Sequence, residues 1–221
     1  MKCNKRKAHT NSDFTIYANN CDKLGNKLKT FNKVLNDLTP SVFILEETER
    51  KLADPPLKVS NLNNYQVFEL RREKEKTDGG KGLEGGGIAI GVLHQLNPVL
   101  TRQGDDEAEC LSVEFSIAKQ KFLCVAGYGP QMGDTRERKE KYWSYMNEEV
   151  KSAKKEGESI IIQLDTNSWV GPNIIPSDPN QQNSNGRLMK TFLEDNPALS
   201  VANSLPSCEG TITRERKTPR V

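Results

Sequence analysis

At 221 residues, the chain has room for one domain of ordinary size or two small ones. Hydrophobic residues make up 34% and charged residues 28%, with a mean hydropathy of −0.71. This composition is polar, yet its 7 Phe, 5 Tyr and 2 Trp can supply a core, which excludes wholesale disorder. Lys and Arg number 32 against 30 Asp and Glu, for a net charge of +2. That excludes a body that grips nucleic acid by bulk charge and leaves only local basic patches at the two chain ends, which read first as solvated termini.

No apolar run approaches the ~18–20 residues that a membrane-spanning helix needs. The basic start (Lys2, Lys5, Arg6, Lys7) passes into a polar stretch with no signal-peptide core. The chain is therefore expected to be intracellular, in nucleus or cytoplasm, and not secreted or membrane-bound. Its five cysteines are odd in number and lack zinc-ligand spacing, so reduced thiols are expected.

Residues 1–12 read as a disordered basic lead, and residues 13–221 as the folded domain. Alternation over 14–17 predicts a strand that ends in a turn at Asn19-Asn20-Cys21-Asp22. Leu24, Leu28, Phe31, Val34, Leu35 and Leu38 recur at helical spacing, and Pro40 ends that helix. Residues 42–45 form a continuous apolar strand running into Glu46-Glu47-Thr48. Strand, crossover helix and strand together predict a parallel pair with its functional loops beyond the strand C-termini.

Further strands are predicted at 65–70, 87–93, 110–117 and 121–127, the last two as a hairpin, and the charged, glycine-rich 71–87 reads as an exposed loop. Residues 134–155 form an amphipathic helix whose stripe of Tyr142, Met146, Val150 and Ala153 faces the core. Residues 159–164 read as a second fully buried strand, ending at Asp165-Thr166-Asn167. A helix follows at 186–195, with short strands near 201–205 and 211–213. About eight strands with mixed hairpin and crossover connections imply a layered α/β sandwich.

Two apolar strands thus end in acids, at Glu46-Glu47 and at Asp165. Carboxylates converging at strand ends, without His or Cys nearby in sequence, suit a hard divalent cation such as Mg²⁺. Asn19 and Asn167, each at a strand end, are placed to position a substrate or a water. The same residues also serve as ordinary strand-end turns, which Asp, Asn and Thr favour. Trp169, in the loop after Asp165, suits either stacking on a base or anchoring the loop.

Read together, these segments resemble the endonuclease/exonuclease/phosphatase family, and most closely the endonuclease domain of LINE-type retrotransposons. The resemblance runs in order through Ile16-Tyr17-Ala18-Asn19 with Asn26-Lys27, and then through residues 40–48, whose Glu46-Glu47-Thr48 matches the motif ending Gln-Glu-Thr. It continues through Tyr128-Gly129-Pro130, residues 161–167 (the Gly-Asp-Phe-Asn motif), and finally Asn185-Gly186-Arg187, Asn203 and Gly210-Thr211-Ile212-Thr213-Arg214. Glu46 stands where the family has Gln, and Leu164 and Thr166 where it has Gly and Phe.

The resemblance implies a four-layer α/β sandwich, with two mixed β-sheets packed face to face and helices outside. It implies phosphodiester hydrolysis, most closely DNA nicking, with Mg²⁺ (or Mn²⁺) as cofactor and the DNA phosphate backbone as partner; a small-molecule phosphoesterase of the same fold and a non-catalytic remnant or interaction module are the alternative readings. It makes Glu47 the metal ligand, makes Asn19, Tyr128, Asp165 and Asn167 catalytic, and places Trp169, Thr213 and Arg214 where they touch substrate. The family has a further Asp and a Ser-Asp-His beyond the Gly-Thr-x-Thr segment, which these 221 residues do not include. The chain as given is therefore expected to be weakly active or inactive, with an open sheet edge that favours self-association.

Overall fold

The computed structural model describes residues 14–59, 64–71, 77–78, 81–82, 86–105, 107–172 and 182–202. The lead, the strands expected beyond residue 202, and Asn203, Thr213 and Arg214 lie outside the described residues. Strand β1 (Ile16–Asn20) is followed by helix α1 (Leu24–Leu38) and β2 (Val42–Glu46). Then come β3 (Tyr65–Leu70), a two-residue ladder of β4 (Thr77–Asp78) and β5 (Lys81–Gly82), and β6 (Ile88–Leu93). A 3-10 turn (His94–Leu96) leads to β7 (Val99–Gln103), β8 (Cys110–Ile117) and β9 (Gln120–Tyr128). Helix α2 (Arg136–Glu156), β10 (Ser159–Asp165) and helix α3 (Ser184–Asp195) complete the order.

The strands make two four-stranded sheets of the same grammar. The first is ordered β1-β2-β6-β3 and the second β10-β9-β8-β7. In each, the outer pair is parallel and joined through a helix, β1 to β2 through α1 and β9 to β10 through α2, and the remaining pairs are antiparallel.

Period-two alternation builds the layers. Val42, Ile44, Ile88, Ile90 and Val92 from one sheet meet Leu111, Val113, Phe115, Cys124 and Ala126 from the other in a central core. The opposite face of the first sheet packs Phe43, Leu45 and Ala89 under Leu24, Phe31 and Leu35 of α1. The opposite face of the second packs Cys110, Leu123 and Val125 under Tyr142, Met146, Val150 and Ala153 of α2, with Phe192 of α3. The order is helix, sheet, sheet, helices, as the family resemblance implies.

Local chemistry fixes the element ends. Thr135 caps α2 by accepting from the Arg138 amide, and Gly157 closes that helix in the left-handed region at φ 71°. Asn183 caps α3 by accepting from the Gly186 amide. No helix among the described residues is long and apolar enough to cross a membrane. Cys21, Cys110 and Cys124 are buried free thiols.

Three expectations need correcting. β1 continues through Asn20 and does not turn at Asn19, because the whole strand 16–20 pairs in register with 42–46. β7 is an additional strand, and Val99 and Leu100 stay exposed on it because it is the outer strand of its sheet. β10 is half-buried along its length and not fully buried, for the same reason: it is the opposite outer strand.

Candidate active site

Alternation along β2 sends Val42 and Ile44 into the central core, and therefore aims Glu46 inward at the strand's C-terminal end. Its register partner in β1 is Asn20. In the second sheet, Tyr128 lies in the central core at the end of β9, beside its partner Asp165 at the end of β10. Two cross-strand pairs, Asn20/Glu46 and Tyr128/Asp165, therefore face one another at one end of the sandwich.

They are directly bonded. The Asn20 Nδ2 donates to Asp165 Oδ2 at 2.6 Å. The Asp165 amide donates to Glu46 Oε1 at 2.8 Å. The Tyr128 hydroxyl donates to Glu47 Oε1 at 2.8 Å. Asp165 Oδ1 accepts from the Asn167 amide at 3.2 Å, and Asn167 Nδ2 donates to the Gly129 carbonyl at 2.9 Å. The Asn20 side-chain Oδ1 accepts from the Asp22 amide at 3.1 Å, which turns its NH₂ toward Asp165.

The backbone here is unusual. Glu47, Glu49 and Asn167 have φ of 51°, 49° and 46°, the left-handed region that side chains with a Cβ rarely enter. At Asn167 the conformation is held by an Asx turn, in which the Asp165 side chain accepts from the Asn167 backbone amide. Glu has no such aid, so the turn after β2 is held from outside. Thr48 and Glu49 donate to the carbonyls of Gly87 (3.2 Å) and Gly86 (2.9 Å), and Lys23 donates to that of Glu47 (3.2 Å). Gly129 is fixed by a close approach: its amide donates to the Asp165 carbonyl at 2.6 Å. A Cβ at Gly129 would lie 2.6 Å from the Thr166 carbonyl oxygen.

Charge is crowded. Burial, then the neighbouring carboxylate of Asp165 and more weakly that of Glu47, push Glu46 up to about 8, although the Asp165 amide opposes the rise. Glu46 thus holds its proton at neutral pH. Burial raises Tyr128 to about 12, with the Glu47 bond adding and the Gln131 and Asn167 bonds opposing, so its hydroxyl remains a neutral donor.

Among the described residues, no group of three or more His, Cys, Asp or Glu side chains forms a ready-made metal cage. A hydrated Mg²⁺ needs only one or two carboxylates and keeps most of its waters. The donors here are hard oxygens on Glu47, Asp165 and Asn20, and the charges of Asp165 and Glu47 add to the burial that raises Glu46. That donor set fits a hydrated divalent cation.

Of the residues singled out from the sequence, the structure brings together Glu47, Tyr128, Asp165 and Asn167. It does not bring in Asn19. Asn19 pairs with Leu45, whose side chain packs on the α1 side of the sheet, so the alternation that aims Asn20 at Asp165 aims Asn19 away. Trp169 is half-buried, and its carbonyl accepts from the Asn183 amide at 3.1 Å, an anchoring contact in the loop. His94 follows β6, which runs antiparallel to β2, so it sits at the opposite end of the sheet from Glu46.

Three residues that the sequence names without a site role take one in the structure: Asn20, Glu46 as an inward-facing partner, and Asn185. Asn185 is fully buried and accepts from Trp143 Nε1 at 2.7 Å. Its amide donates to the carbonyls of Thr166 (2.6 Å) and Pro130 (3.1 Å), tying together the loops that follow β9 and β10.

No family model and no curated protein matches the sequence. Solved structures do resemble it. An AP endonuclease from Leishmania major is 13% identical with a TM-score of 0.61, over 86% of this chain and 69% of the other. The 3′ phosphatase NExo from Neisseria, bound to a product DNA hairpin, is 14% identical with a TM-score of 0.57, over 82% and 71%. The endonuclease domain of TRAS1, a telomere-specific non-LTR retrotransposon, is 14% identical with a TM-score of 0.50, over 83% and 70%. The class these likenesses define is the endonuclease/exonuclease/phosphatase sandwich, and that is the fold of this chain.

Proposed function

We propose that this chain belongs to a divalent-cation-dependent phosphodiesterase that cleaves DNA, in the manner of the nicking endonucleases of retrotransposons. The observation that carries the reading is the bonding of Asn20 and Glu46 to Asp165 across the two sheets, with Glu47 and Tyr128 beside them.

Phosphodiester hydrolysis needs an oriented water, a positioned phosphorus and stabilisation of the charge that develops on the phosphoryl and leaving oxygens. Asp165 is the group that orients and deprotonates the water. Its two oxygens are fixed separately, one by the Asn20 side chain and one by the Asn167 amide, so its lone pairs have a defined direction. The water's oxygen bonds to phosphorus as the bond to the leaving oxygen breaks, and the proton of the water passes to Asp165. The Asn167 side chain, with one N–H left beyond its bond to the Gly129 carbonyl, is the neutral donor on the phosphate side, and the Tyr128 hydroxyl holds Glu47. Glu47, with Asp165 and Asn20 beside it, would hold the divalent cation, which supplies Lewis-acid stabilisation of the leaving oxygen.

The test is nicking of supercoiled plasmid by the chain with Mg²⁺ or Mn²⁺, with EDTA, and with Asp165→Asn and Glu47→Gln, beside hydrolysis of small phosphate esters. The expected result is weak nicking that requires the cation and falls further, by up to about a hundredfold, in Asp165→Asn, with little turnover of the small esters. Nicking that survives both EDTA and Asp165→Asn overturns the reading, as does a chain that neither cleaves DNA nor binds the cation. Preference for the small esters would move the substrate from DNA to a small molecule.

A further inference from the structure

Glu109 is a charged side chain only 3% exposed, placed immediately before β8. One of its oxygens, Oε2, accepts from the Gly87 amide at 2.9 Å, and the other lies 3.5 Å from an Arg138 guanidinium nitrogen. Its main-chain carbonyl accepts from the Tyr128 amide at 2.9 Å. Burying a carboxylate costs several kcal/mol unless it is paired and hydrogen-bonded, so its partners indicate what it is held for.

Both run to Glu47. Gly87, at φ 80°, offers its carbonyl to the Thr48 amide at 3.2 Å. A Cβ there would lie 2.6 Å from the Thr48 hydroxyl, so the approach is open only to glycine. Gly87 and its neighbour Gly86 thus carry the bonds that hold the left-handed turn at Glu47 and Glu49. On the other side, Tyr128 donates its hydroxyl to Glu47 Oε1. Arg138 continues the frame: it bonds Asp134 at 2.8 Å, Asp134 accepts from the Gln131 amide at 2.6 Å, and Gln131 donates to the Tyr128 hydroxyl at 3.4 Å. A strained backbone persists only where its surroundings over-determine it, and Glu109 touches both sides of that surround.

We infer that Glu109 is a positioning residue: through the Gly87 amide its carboxylate sets the backbone turn and the direction of Glu47, and so the affinity of the site for its divalent cation. The inference rests on the reading of Glu47 as the cation's ligand. Outer-shell partners of metal ligands are worth about 10- to 100-fold in metal affinity or activity.

The experiment compares wild type with Glu109→Ala, Glu109→Gln and Glu149→Ala. Glu149 is 4% exposed and is bonded to Arg102 about three turns further along α2 than Arg138, so its removal reports the generic damage of deleting a buried acid. The readouts are Mn²⁺ binding by the loss of free-ion paramagnetic resonance, without substrate, and hydrogen exchange at the Thr48 and Glu49 amides. Glu109→Ala should weaken Mn²⁺ binding about tenfold or more and deprotect Thr48 and Glu49. Glu109→Gln keeps an acceptor for Gly87 and should recover most of both, and Glu149→Ala should change neither.

Unchanged Mn²⁺ affinity in a folded Glu109→Ala, or an equal loss in Glu149→Ala, overturns the inference. If wild type binds no Mn²⁺, the reading of Glu47 fails on its own. The exchange arm then still decides whether Glu109 holds the turn, with unchanged protection in Glu109→Ala overturning that.

Discussion

Asn19→Ala and Asn20→Ala differ by one position and should differ sharply in effect. The Asn20 side chain donates to Asp165 Oδ2 at 2.6 Å, and Asn19 is aimed toward the α1 side of the sheet. A hydrogen bond to a charged group contributes about 1.5–3 kcal/mol. If that interaction is made fully in the transition state, its loss lowers kcat/KM by roughly ten- to hundredfold at about 1.4 kcal/mol per decade. The structural cost should be small, because Asn20 is exposed and only its bond to the Asp22 amide is otherwise lost. The assay is initial-rate nicking of supercoiled plasmid at saturating Mg²⁺, with thermal melting run in parallel. Asn20→Ala should lose rate without losing more than a few degrees of Tm, and Asn19→Ala should stay within about twofold of wild type. Equal losses in the two variants, or a larger loss in Asn19→Ala, would refute the alternation argument and the assignment of Asn20.

Gly129→Ala drives a Cβ to 2.6 Å from the Thr166 carbonyl oxygen, a backbone atom that cannot swing aside. It should cost ~1–3 kcal/mol, read as a lowered denaturation midpoint, and should reduce cleavage because the turn after Asp165 must shift. Asn185→Ala strips Trp143 Nε1 of its acceptor and two loop carbonyls of a donor. An unsatisfied buried group costs about 1–3 kcal/mol, so Tm should fall by several degrees, whereas Asn185→Asp should restore the Trp143 bond alone.

The Glu69 carboxylate would be raised by burial, but hydrogen bonds from Arg71 and from the Leu57 amide, with the charge and bond of Arg50, carry it below its ordinary value of 4.5. A depressed carboxylate stabilises the fold above its unfolded pKa and loses that contribution as pH falls through its folded one. Denaturant midpoints of wild type and Glu69→Gln should therefore differ at pH 7 and converge below about pH 4. A constant gap would show that the difference does not arise from the charge of Glu69.

What the sequence disclosed and what it withheld follow from the range of the forces involved. Periodicity at 24–38 and the apolar runs at 42–45 and 159–164 are local signals, and α1, β2 and β10 stand where those signals put them. The acids at 47 and 165 were legible because both end apolar strands, and parallel strands place their C-terminal ends together. The burial of β10 was misread because a run of Ile has the same composition at the edge of a sheet as at its centre, and position in the sheet is a tertiary fact. β7 escaped for the opposite reason: its Val99 and Leu100 are exposed and its other residues are polar, so nothing in the segment advertises pairing. The choice between Asn19 and Asn20 turned on register. A slip of one residue sends a side chain to the other face of the sheet, and only the pairing of 16–20 with 42–46 settles it.

The same logic explains why the acidic end of this sandwich is built from paired parallel strands. Each sheet puts its one parallel pair at an outer edge, and face-to-face packing brings β1 opposite β10. The amide of Asp165 must find an acceptor, since β10 has β9 on one side only, and it finds Glu46 from the opposing sheet. A glutamate serves there only in part as a charge. With its pKa near 8 it is neutral through most of the physiological range, and so it presents a hydrogen-bonding surface much like that of the Gln in the motif it resembles. Glu46→Gln should accordingly leave the thermal stability of the cation-free protein near wild type at pH 7. Above pH 8, where wild type gains a third negative charge beside Asp165 and Glu47, the two should diverge. Divergence already present at pH 6 would show that Glu46 is ionised in the folded protein.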